Sequence, residues 1–131
     1  MNPTVKNWIA TSSYDLRTAE AMLKAGRYLY VVFMCHLSLE KMLKAMLAAS
    51  FPDSIPPKIH SLVSLYKRAG LVMPEQFMEF VELLDNVSIV TRYPEDLRSL
   101  SREFNQAKAG EVLRETRKLL KWLKQSISEK S

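Results

Sequence analysis

Cysteine occurs once in this sequence and glycine only three times. A lone Cys35 excludes an internal disulfide and a thiolate metal cluster, and it reads as a small buried side chain. Three glycines and six prolines are too few to turn a chain through the hairpins of a sandwich or barrel. Long apolar runs are also missing. The longest, Tyr28 to Cys35, is eight residues, where a bilayer needs about 20. Histidine appears twice, as His36 and His60. There is no Gly-rich phosphate loop, no Gly-flanked nucleophilic Ser and no pair of cysteines two residues apart, so no cofactor is expected and a conventional enzyme fits poorly. The start of the chain has no basic segment leading into an apolar block, so no secretion signal is expected. A cytoplasmic protein, away from any membrane, is the plain reading.

What is present fits one domain. The chain has 131 residues, 47% apolar and 25% charged, the balance of a globular domain large enough for an ordinary core. Net charge is +5, and the excess lies at the two ends. Residues 1–50 carry six Lys/Arg against three Asp/Glu, residues 51–104 six against eight, and residues 105–131 seven against three. Such an excess suits an RNA, nucleotide or acidic-protein partner, and equally a domain that binds none of these.

The spacing of apolar residues is helical. Asn2 and Pro3 are cap and first residue of a helix whose narrow face is Val5, Ile9, Ser12, Leu16, Ala19 and Leu23, widened by Trp8. Gly26 stops it. Tyr28 to Ser50 has no Gly or Pro and is apolar almost all round, as expected of a central helix packed on several sides. Its one polar line is His36, Glu40 and Lys44, each four residues apart and so stacked on one stripe, with Lys41 beside them. Phe51 to Lys58, with three prolines, cannot be helix interior and reads as a mobile surface loop. A short helix is predicted over Ser61–Ala69, with His60 at its start and Gly70 as its stop. A further helix opens at Pro74 and fades between Val87 and Thr91. Thr91 to Glu103 reads as irregular, because Pro94 biases Tyr93 away from helix. Asn105 caps a last helix to about Ser128, with Arg114, Arg117, Lys118, Lys121 and Lys124 as a basic stripe opposite its apolar face. The sum is an all-α, antiparallel up-and-down bundle of four long helices plus a short one, a single domain over residues 1–131 with a frayed tail after about 128.

Four stretches, in this order, resemble the HEPN domain family. They are WIATSSYDLRTAEAMLKAGRYLY at residues 8–30, HLSLEKMLKAML at 36–47, IHSLVSL at 59–65 and TRYPED at 91–96. The resemblance spans nearly the whole chain. It implies a helical bundle that commonly forms a homodimer. Many small members of the family bind a minimal nucleotidyltransferase encoded beside them, some as toxin with antitoxin. Several branches are metal-independent ribonucleases that use an Arg followed, after four to six residues, by a His. Here Arg92 is followed by Tyr93, Pro94, Glu95, Asp96, Leu97 and Arg98, and no His occurs after position 60. The ribonuclease dyad is therefore missing from the sequence. An exposed carboxylate such as Asp96 is a weak base near neutral pH.

The candidate ligand- or phosphate-binding residues are Glu40, Lys41, Lys44, His60, Arg92, Tyr93 and Asp96, with no catalytic residue and no metal ligand assigned. Each has a structural reading as well. Glu40 with Lys41, Lys44 or an arginine from another helix makes a buried ion pair. His60 caps a helix. Arg92 pairs with a carboxylate such as Glu40, or alternatively grips a phosphate through its guanidinium. The basic stripe is a solvated face or an RNA contact. Three functions remain open at this point: a binding module for a nucleotidyltransferase and for nucleotide or RNA, a degenerate ribonuclease toxin of a toxin–antitoxin pair, and a ligand-free dimeric scaffold.

Overall fold

The computed structural model describes residues 2–90 and 93–130, except for the side chains at 90, 94, 96 and 130. Among these the chain forms six α-helices: α1 (Pro3–Lys24), α2 (Tyr28–Ser50), α3 (Leu62–Arg68), α4 (Glu75–Val90), α5 (Pro94–Glu103) and α6 (Gln106–Lys130). No helix is long and apolar enough to cross a membrane.

Local chemistry sets several of the helix ends. Asn2 Oδ1 accepts the Val5 amide at 2.9 Å, and Pro3 takes the first helical position, where its missing N–H costs nothing. At the other end Gly26 adopts φ 75°, so the Gly26 amide reaches the Leu23 carbonyl and the Arg27 amide reaches Met22. This pair of bonds closes the last turn and reverses the chain directly into α2. Gly70, at φ 67°, ends α3 in the same way, with the Gly70 amide on Lys67 and the Leu71 amide on Tyr66.

Helix α2 is the centre of the bundle. Fifteen of its 23 residues are buried. It packs along α1 and α6, with α3, α4 and α5 covering other sides. Helices α1 and α2 run antiparallel and meet closely at two small residues. Ser12 Oγ donates to the Ser38 carbonyl at 2.7 Å, and Ser38 Oγ donates to the Ser12 carbonyl at 2.8 Å. Both hydroxyls are thus satisfied inside the core, where an unmade bond costs more than the bond contributes. Cys35 lies in this core, fully buried. Burial pushes its thiol up to about 11, against the smaller opposing effects of the Thr116 hydroxyl and the Arg117 charge.

The bundle has one more helix than its sequence suggests. Residues 94–103 form α5, not an irregular segment. Pro94 restricts Tyr93, which is extended (φ −111°, ψ 119°), yet its own fixed φ suits the first residue of a helix. The helix ends against the buried Phe104. Helix α6 also runs further than its pattern indicates, to Lys130.

Candidate functional site

The polar stripe of α2 ends in two carboxylate–histidine pairs, and both lie at the start of α3. In the first, Glu40 is 3% exposed and accepts three hydrogen bonds. Lys44 Nζ donates to Oε2 at 3.1 Å, one helical turn along the same stripe. His60 Nδ1 donates to Oε1 at 3.1 Å and to Oε2 at 3.2 Å. Lys44 is itself buried, with its ammonium 5.6 Å from the centre of the Trp8 ring. The aromatic face supplies part of the attraction that water would otherwise give. His60 is different, because its side chain is 66% exposed. Its Nδ1 is held by a buried carboxylate, which leaves the opposite ring nitrogen, Nε2, free of that bond.

In the second pair His36 Nε2 donates to Asp85 Oδ1 at 3.0 Å. Asp85 reaches in from α4 and also serves as a cap for α3. Its Oδ1 accepts the Leu62 amide at 2.9 Å, and its Oδ2 accepts the Val63 amide and the Ser61 hydroxyl, each at 3.1 Å. Ser61 Oγ in turn accepts the Ser64 amide. The orphan amides of a short helix are thereby satisfied from two sources. Burial pushes the Asp85 carboxyl up, but the His36 hydrogen bond, the Leu62 and Val63 amides and the charge of His36 together hold it below its ordinary value.

Between these pairs lies a cleft of about 170 Å³, lined by His36, His60, Ser61, Asp85, Ser88 and Ile89. It offers imidazole, hydroxyl and carboxylate groups close together. Among the described residues no group of three or more His, Cys, Asp or Glu side chains is placed to hold a metal ion.

The seven candidates from the sequence divide accordingly. Glu40, Lys44 and His60 come together. Lys41 does not join them, but turns to α1 and pairs with Asp15 at 3.0 Å. Tyr93 is exposed at the start of α5 and is not part of the cleft lining. Arg92 and the side chain of Asp96 fall outside the described residues. The basic stripe of α6 is partly neutralised, since Arg117 pairs with Glu20 and Lys118 with Glu115. The residue missed from sequence is Asp85. Its signal was present: it stands four residues after the buried Val81 and directly after Leu84, on the edge of the apolar face of α4. A carboxylate there is costly unless it has partners.

Residues 5–127 match the HEPN domain family. Among solved structures, TT1696 from Thermus thermophilus is 25% identical, with the whole of both chains covered and a TM-score of 0.79. ST0689, described as an archaeal HEPN homologue, is 21% identical over 97% of this chain and 99% of its own, with a TM-score of 0.74, and so is similar in fold. No curated protein matches. The family match covers all of the bundle but its outermost turns, and the chain belongs to the HEPN domain family.

Proposed function

We propose that this chain is a HEPN binding module. It acts as a homodimer, engages a minimal nucleotidyltransferase, and offers the cleft beside α3 to a nucleotide or RNA group. One observation carries this reading. The chain's two histidines are both tied to carboxylates that hold the bundle together, and neither follows an arginine at the spacing the family's ribonucleases use. In this reading His36, Ser61 and Asp85 line the cleft, and Glu40, paired with Lys44, holds His60 where it meets the ligand. Arg92, Tyr93 and Asp96 are further candidates for holding a phosphate in this reading.

The test is co-expression with the protein encoded beside this chain, which the proposal expects to be a minimal nucleotidyltransferase, followed by affinity purification of one partner. The two proteins are expected to co-elute in fixed ratio through a second column. Separate elution, with each protein soluble and folded, contradicts the proposal.

A second reading has one observation in its favour. Glu40 is buried and bonds to Nδ1 of an exposed His60, the arrangement that fixes an imidazole for proton transfer at its other nitrogen. A degenerate ribonuclease toxin would use that imidazole together with Arg92. It requires growth arrest on overexpression, lost in both His60→Ala and Arg92→Ala. Full growth and intact total RNA with the wild-type chain remove it.

A further inference from the structure

The far end of α2 carries a surface that the proposed ligand cleft does not use. The chain leaves α2 at Phe51 and passes through Pro52, Pro56 and Pro57 before reaching α3. Phe51 is 51% exposed and Ile55 is 88% exposed. Val72, on the link after α3, is 93% exposed. Isolated exposed apolar residues such as Val72 are ordinary, but Phe51 and Ile55 line one shallow cavity of about 340 Å³ together with Leu47, Ser54, Pro56, Pro57 and Arg68. The prolines fix φ at three positions, and a turn closes the start of the loop with the Ser54 amide on the Phe51 carbonyl at 3.0 Å.

The charges at this end are one-sided. Lys58, Lys67 and Arg68 are exposed and make no ion pair with any described residue. Asp53 is the one acidic residue between Phe51 and Gly70. An apolar centre with an unpaired basic rim has the anatomy of a protein interface.

We propose that the loop over residues 51–58 and the adjoining end of α3 form a docking surface for a folded protein with an apolar pocket ringed by carboxylates. Ile55 is its central anchor, and Lys58, Lys67 and Arg68 set orientation and rate of encounter. The nucleotidyltransferase is the protein to which this applies, so the inference rests on the function proposed above.

The test measures the affinity of purified chain for purified nucleotidyltransferase by calorimetry, at low and high NaCl. Ile55→Asp and Arg68→Glu are compared with Leu83→Asp, which changes an exposed residue on α4 away from this surface. All three sites are exposed, and unchanged circular dichroism and melting temperature confirm folding. Ile55→Asp is expected to weaken binding at least about tenfold. Arg68→Glu is expected to weaken it and flatten its salt dependence, with Leu83→Asp unchanged. A wild-type complex that all three variants form equally well overturns this surface and leaves the partner reading intact. Self-association that Ile55→Asp abolishes, with the hetero-complex unaffected, overturns it too, because the occupant is then a second copy. No wild-type complex at all removes the function proposed above, and this inference with it.

Discussion

Replacing Asp85 with alanine tests the architecture around the cleft most severely. The carboxylate, 13% exposed, accepts bonds from His36, the Leu62 and Val63 amides and the Ser61 hydroxyl. A helix cap is worth roughly 1 kcal/mol, and a hydrogen bond to a charged group roughly 1.5–3 kcal/mol. These contributions overlap, because Ser61 and solvent recover part of the capping once the carboxylate is gone. We therefore expect Asp85→Ala to cost about 3 kcal/mol at pH 7. That is a large share of the 5–15 kcal/mol typical of a domain, and corresponds to a melting temperature lower by roughly 10 °C. Urea unfolding followed by circular dichroism measures it. The pH dependence gives a second, sharper check. Since the Asp85 carboxyl is held below its ordinary value, the stabilisation it supplies is complete above the unfolded carboxylate range of about 4. It is lost as pH falls through the lower folded value. The gap between wild type and Asp85→Ala should accordingly narrow in acid. A cost under 0.5 kcal/mol at pH 7, or a gap that widens as pH falls, would refute the reasoning.

Three further outcomes are expected. Lys44→Met leaves Glu40 buried with only His60 beside it and should cost roughly 3–5 kcal/mol, while Glu40→Leu together with Lys44→Met should recover most of that loss in the same urea assay. Ser12→Ala and Ser38→Ala each leave a backbone carbonyl in the α1–α2 contact without its hydroxyl partner, so each should cost about 1–2 kcal/mol. Their double-mutant cycle should show coupling, and strict additivity would mean the reciprocal pair does not act as a unit. Cys35, fully buried with its thiol pushed up to about 11, should stay unreactive towards a chromogenic disulfide reagent at pH 8 until urea unfolds the chain. Rapid labelling of the folded protein would show that the α2 core opens locally.

The frame of the bundle was legible because it depends on local signals. Asn2, Pro3, Gly26 and Gly70 each mark a helix end by their own stereochemistry, and the structure uses all four. The all-round apolar character of α2 likewise announced its central position, borne out by the packing around it. Helix α5 was obscured because Pro94 carries two opposite messages, a restriction on Tyr93 and a favourable first helical residue, and the sequence shows the first more readily. The cleft was only half legible. Spacing of four put His36, Glu40 and Lys44 on one stripe, and the short helix put His60 near its own start. Spacing within one helix says nothing about which residues of another helix will answer. The Asp85 bonds join residues 22 to 49 apart in sequence, and Lys41 found its partner on α1, 26 residues away. Such pairings are fixed by how helices pack, which periodicity does not encode.

The most direct measurement of the central claim is the mass, by light scattering on a sizing column, of this chain alone and after mixing with the protein encoded beside it. The chain alone should elute at twice its mass of 15.1 kDa. The mixture should give one peak whose mass is the sum of both proteins in a simple ratio. Two peaks at the masses of the separate proteins, across the concentration range, would contradict the claim that this bundle is a partner module.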